Sequence, residues 1–120
     1  MILTDIEEKL QQFGDPVYYG MVDEAQAQTV WNYIVFNRVA IQHSPNKTSD
    51  VDRFDVHIIR ENFIPDGMED AVMEKLREIS GVRLTNENSV FSYVQKPNTN
   101  VVVEMLTIPF VRARKSRGSI

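Results

Sequence analysis

The sequence predicts an α+β fold: a mostly antiparallel β-sheet with two helices packed on it, in the order α-β-β-β-α-β-β, ending in a long C-terminal β-hairpin. Three observations carry the prediction. Residues 3–13 and 66–81 repeat apolar side chains at the helical period. Residues 30–41, 53–60, 90–96 and 101–112 are rich in β-branched and aromatic residues. Pro97-Asn98-Thr99-Asn100 is turn chemistry set between the last two of these runs.

In the first segment, Ile6, Leu10 and Phe13 share one helical face, and Thr4 with Glu7 has the spacing of a capping box. Gly14 is placed to end the helix in a left-handed conformation, and Asp15-Pro16 prevents its resumption. Residues 17–22 (VYYGMV) read as a short strand and 23–28 as a polar loop. The 30–41 run is the clearest strand. Trp31, Tyr33, Val35, Val39 and Ile41 fall on one face, interrupted by Asn37, with Val30, Ile34, Phe36 and Ala40 on the other. A strand apolar on both faces needs cover on both sides.

Residues 43–52 (HSPNKTSDVD) form a polar, mobile connection. Phe54, Val56 and Ile58 then alternate with Arg53, Asp55 and His57, as in a strand with one wet face. Asp66 is the expected N-cap of the second helix, with Glu69 at the capping-box spacing; Met68, Val72, Leu76 and Ile79 form its stripe, and Gly81 closes it. Residues 82–84 have room for a further short strand. Pro109 cannot donate a ladder hydrogen bond, which suggests an edge position or a bulge.

The 120 residues suffice for one domain, taken as 1–115, followed by a flexible basic tail at 116–120. No repeat or linker divides the chain. With no cysteine, disulfides and thiolate metal sites are excluded. No run approaches the ~20 apolar residues of a membrane span, and no secretory signal is expected from MILTDIEEKL. The formal charge of −4 argues against a general nucleic-acid binder. It hides an asymmetry: residues 1–78 carry 15 acids and 7 bases, whereas residues 79–120 carry 2 acids and 6 bases. Arg112, Arg114, Lys115 and Arg117 supply four of those six. An acidic body with a basic end can attract copies of itself.

Catalytic chemistry finds few footholds. His43 and His57 have no acid at metal-triad spacing, and HEXXH is absent. Asp50, Asp52 and Asp55 lack the glycine and terminal glutamate of a calcium loop. Phosphate-cradling glycine motifs and a nucleophile elbow are missing. Asn46-Lys47-Thr48 matches a glycosylation sequon that a chain without a signal does not expose to the enzyme. Phe91 and Tyr93 with Lys96 resemble a stacking platform, but a packed sheet face is the preferred reading in so acidic a domain. Glu104, alone in the apolar run VVVEMLTI, is either paired to an arginine, across the sheet or from a neighbouring subunit, or an edge gatekeeper. No cofactor or metal is expected, and the chain is not expected to be an enzyme.

Taken in order, PVYYG, WNYIVFNR, VHIIRENFIP, ISGVRL and SYVQKPNTNVVVEMLTIPFVRARK resemble the small neck proteins of long-tailed bacteriophages of Gram-positive hosts, the tail-terminator or tail-to-head joining class. The resemblance covers residues 16–115 and rests on strand and turn patterns, not on a catalytic signature. It implies an α+β protein that assembles as a ring, usually sixfold, at the head-proximal end of the tail tube. Such a ring stops tube growth, meets the head-closure protein and surrounds the DNA channel.

The expected partners are therefore further copies of the chain, the major tail tube protein and the head-closure protein, with DNA passing through without specific binding. The expected location is the virion neck, and the host cytoplasm during assembly. Expected contact residues are Lys47 in the 43–52 loop, Lys96 and Asn98 at the hairpin end, Glu104, and Arg112, Arg114, Lys115 and Arg117 in the basic arm. The alternatives are a head-completion or connector component on the portal side, and a small non-virion binding protein.

Overall fold

The computed structural model describes residues 2–22, 30–45 and 50–114. Lys47, the sequon, the polar segment 23–28 and the tail with Lys115 and Arg117 lie outside the described residues. Among the described residues the fold is α+β, with two helices on a six-stranded, mostly antiparallel sheet. Helix α1 spans Ile2–Gln11 and β1 spans Val17–Tyr19. Strands β2 (Tyr33–Gln42) and β3 (Val51–Glu61) follow, then helix α2 (Met68–Arg77). Strands β4 (Val82–Leu84), β5 (Val90–Gln95) and β6 (Val102–Ala113) complete the chain. This is the expected order with the short 82–84 strand included.

Both helices start differently from expectation. Thr4 lies inside α1, so its side chain does not cap the first turn. At α2 the N-cap is Gly67, at φ 87° and with no side-chain cap bond, rather than Asp66 one residue earlier. The stops follow the sequence better. Gly14 takes φ 85°, and the amides of Gln12, Phe13 and Gly14 bond back to Lys9, Leu10 and Gln11 carbonyls. Helix α2 itself ends at Arg77, and Gly81, at φ 84°, turns the chain into β4.

The strand order is β1-β2-β3-β6-β4, with β5 also paired to β6. Among the described strands, only β1–β2 is parallel. β3 pairs with β6 from Glu61 opposite Val103 to Val51 opposite Ala113. On the far side of β6, β4 covers its C-terminal part and β5 its N-terminal part. This corrects the edge expected from Pro109, which stands in an interior strand. Its carbonyl accepts the Thr85 amide, so its donor-less nitrogen faces the same side, between the stretches claimed by β4 and β5. No ladder bond is required there.

Residues in register share a face. One face carries Ile34, Phe36, Phe54, Val56, Ile58, Leu106, Ile108 and Phe110 and packs under Ile6, Leu10, Val72, Leu76 and Ile79 of the helical layer. Phe54 and Phe110 stack at 5.3 Å. The opposite face holds a smaller cluster of Val35, Ile59 and Val103, covered by Tyr18, Val22, Trp31 and Met105. The doubly apolar centre of β2 is thus covered from within the chain and does not itself require a partner. The register slips between Arg38 and Ala40. The bulge moves Ile41 off the face of Tyr33 and Val35 on which simple alternation placed it.

Candidate functional site

The expected contact residues separate to the two ends of β6. Lys96, Asn98 and Glu104 lie toward the hairpin, and Arg112 and Arg114 at the strand's other end. Lys47, Lys115 and Arg117 are not among the described residues.

The hairpin tip is tied down by its own hydrogen bonds. The Lys96 amide donates to the Val101 carbonyl at 2.9 Å, and the Thr99 amide to Lys96 at 3.2 Å. The Thr99 hydroxyl donates to the same Lys96 carbonyl at 2.8 Å. Asn98 takes φ 63°, a conformation Asn tolerates because its short amide bonds locally. Lys96 turns away from Phe91 and Tyr93. Its ammonium lies 3.3 Å from Glu61 and 5.7 Å from the Trp31 ring centroid, on the opposite face of the sheet. The stacking platform therefore loses its cation.

The packed-face reading of Phe91 and Tyr93 is corrected as well. They are 48% and 63% exposed, and every residue of β5 is exposed. Phe63, in the connection from β3 to α2, is 68% exposed. These three rings border a groove of about 330 Å³ together with Ile64, Pro65, Asp66, Gly67, Glu69, Glu104 and Leu106. Glu104 stands on its inner side. Its Oε1 accepts the Ile64 amide at 2.8 Å, and its carboxylate takes a hydrogen bond from the Tyr93 hydroxyl, which pushes the phenol above its ordinary value. The gatekeeper reading of Glu104 does not hold, nor does pairing with an arginine across the sheet. Arg60 faces it in register, but the guanidinium is held by Asp15 at 2.7 Å, and β6 is not an edge. Among the described residues, Asp66, Glu69 and Glu104 form no ion pair, and the groove has no basic lining residue.

At the other end of β6, Arg114 Nε donates to Asp52 at 2.8 Å, and its amide donates to the Asp50 carbonyl at 3.0 Å. Among the described residues, Arg112 Nε is buried without a partner. With Arg38, Arg53, Asp5 and Asp52 these arginines line a cavity of about 340 Å³ beside the start of α1. Asp50 also accepts the Ser44 amide at 2.9 Å and lies 3.1 Å from His43 Nδ1. The aspartates of this stretch are engaged with backbone and arginine. Among the described residues no three metal-binding side chains converge.

His57 is less exposed than the wet face predicted. Nε2 lies 2.7 Å from Asn37 Oδ1 and Nδ1 lies 2.8 Å from the Thr107 hydroxyl. A neutral ring donating to Asn37 and accepting from Thr107 satisfies both. Burial holds its pKa below the usual histidine value, against the opposing pull of Asp55. Burial raises Asp55 in turn.

No protein-family model and no curated protein matches this chain. Among the described residues, no helix is long and apolar enough to cross a membrane. Sequence reasoning missed Phe63 altogether and misjudged Phe91 and Tyr93. The available signal was that VFSYVQ carries no charge on either face, unusual for a strand left at a sheet margin.

Proposed function

We propose that the chain is a structural virion protein that forms a ring, most simply of six copies, at the head-proximal end of a phage tail. There it terminates the tail tube and joins tail to head around the DNA channel, with no catalytic role. Its partners in this reading are its own copies, the tail tube protein and the head-closure protein. The family resemblance supplies the identity of the particle. The observation that carries self-assembly is β5: all six residues are exposed, with Val90, Phe91, Tyr93 and Val94 among them. A long uncharged margin of this kind is an aggregation hazard unless another chain covers it. The sheet also has unlike margins, β1 on one side and β4 with β5 on the other. Unlike surfaces favour head-to-tail contacts, which close into rings when the rotation permits.

Light-scattering mass measurement and negative-stain microscopy of the purified chain test this reading. The expected result is an annular particle of about six chain masses, with antibody against the chain labelling the neck of purified virions. A chain that stays monomeric at high concentration and is missing from the virion neck defeats the proposal. Label on the portal side of the neck instead selects the connector alternative.

A further inference from the structure

The aromatic groove and the basic arm are complementary surfaces on one chain, yet one copy cannot bring them together. Phe63, Phe91 and Tyr93 stand largely exposed around a cleft whose charged lining is wholly acidic: Asp66, Glu69 and Glu104. Rings with carboxylates beside them suit an ammonium or guanidinium, which gains from the negative face of the ring as well as from the charge. The positive end of α2 is nearby, but Asp66, Glu69 and Asp70 outweigh it.

The sequence supplies such groups in Arg112-Ala113-Arg114-Lys115-Ser116-Arg117. The root of this arm is fixed, because Arg114 is bonded to Asp50 and Asp52. Glu104 lies ten residues back along the same strand, about 33 Å away at ~3.3 Å per residue. Three further residues reach at most about 11 Å when fully extended. Arg117 therefore cannot enter the groove of its own chain.

We infer that this groove receives the basic arm of a neighbouring copy, with Lys115 and Arg117 seated between Phe63, Phe91 and Tyr93 and facing Asp66, Glu69 and Glu104. The contact is heterologous, donor arm on one copy and acceptor groove on the next, so each copy can be engaged twice. It rests on the reading that copies of the chain assemble, and it names the surfaces that do so.

Two measurements test it. The first follows oligomer mass against concentration for the wild type, for Lys115→Glu with Arg117→Glu, for Asp66→Lys with Glu69→Lys, and for all four changes together. The expectation is at least a tenfold weaker association for each reversed pair and recovery when both are combined. Wild-type association with both reversed pairs unaffected overturns the inference while leaving the ring reading intact. The second titrates a fluorescent peptide of residues 112–120 onto the full chain carrying Lys115→Glu and Arg117→Glu, whose own arm cannot compete. Saturable binding that weakens at least tenfold with Phe63→Ala and Tyr93→Ala supports the groove as the site. Binding that ignores these changes, equals that of a scrambled peptide, or is absent overturns it. Because the peptide assay needs no oligomer, a monomeric wild type counts against the ring and leaves the groove to be decided separately.

Discussion

His57 shows how one side chain couples the middle of the sheet to pH. Its neutral ring bridges Asn37 and Thr107, and burial lowers its pKa below 6.5. Between the folded and unfolded values, the unfolded chain binds more protons, so stability rises with pH there. The His57 contribution is complete above 6.5 and is lost as pH falls through the folded value. Asp55, raised by burial, acts with the opposite sign: its contribution is present below 3.8 and lost as pH rises through its folded value. Denaturant melts from pH 7.5 to 5 should show the wild type losing stability more steeply than His57→Gln. Equal slopes would place the titration elsewhere. Asn98 offers a second test on the hairpin tip. Asn98→Val forces a β-branched residue into the left-handed region and should cost about 1–2 kcal/mol, whereas Asn98→Gly should be tolerated. Thermal melts of the two variants separate these outcomes.

At the scale of elements, β6 organises the molecule. It takes β3 along one side and divides the other between β4 and β5, and Leu106, Ile108 and Phe110 from it are fully buried. Leu106→Ala should therefore destabilise by about 2–5 kcal/mol, since the rigid sheet around it closes a cavity poorly; chemical denaturation measures the loss. Arg114 directly follows β6 and anchors its end to Asp52. Reversing it places a carboxylate against Asp52, at a half-exposed pair now 2.8 Å apart, so Arg114→Glu should lower stability by about 1–2 kcal/mol. Lys115→Glu should leave thermal stability within about 0.5 kcal/mol. Sequence reading recognised β6 and its hairpin, but not that Pro109 lies in the interior. Where the missing donor points depends on which strands lie beside it, and that is a long-range fact.

Across the whole molecule, Arg38, Arg53, Arg112 and Arg114 gather at one end of β6, with Asp5 and Asp52 among them, and the groove carboxylates Asp66, Glu69 and Glu104 lie near the other end. The chain is elongated, 55 Å in its longest dimension against 26 and 24 Å across, so the two regions do not screen one another at a Debye length of about 8–10 Å. Association through them should weaken as salt is raised. Sedimentation velocity at about 50 and 500 mM salt checks this; an oligomer insensitive to salt would assign assembly to the apolar β5 margin alone.

The sequence by itself determined the element order, the helical stripes of Val72, Leu76 and Ile79, the stop at Gly14 and the asymmetry of charge. Each depends on local periodicity, backbone sterics or composition, which neighbours in sequence settle. Only the tertiary structure decided which apolar residues stayed uncovered. Val35 and Phe91 look alike in sequence, one β-branched and one aromatic in strands of similar character. Val35 is covered by Tyr18, Val22 and Trp31 arriving from elsewhere in the chain, and Phe91 is not. Likewise Glu104 is answered by the Ile64 amide and Tyr93, not by the arginine opposite, because Asp15 holds Arg60 first. Burial and pairing are set by which segments fold back over which face. That competition among distant groups, not local propensity, built the groove.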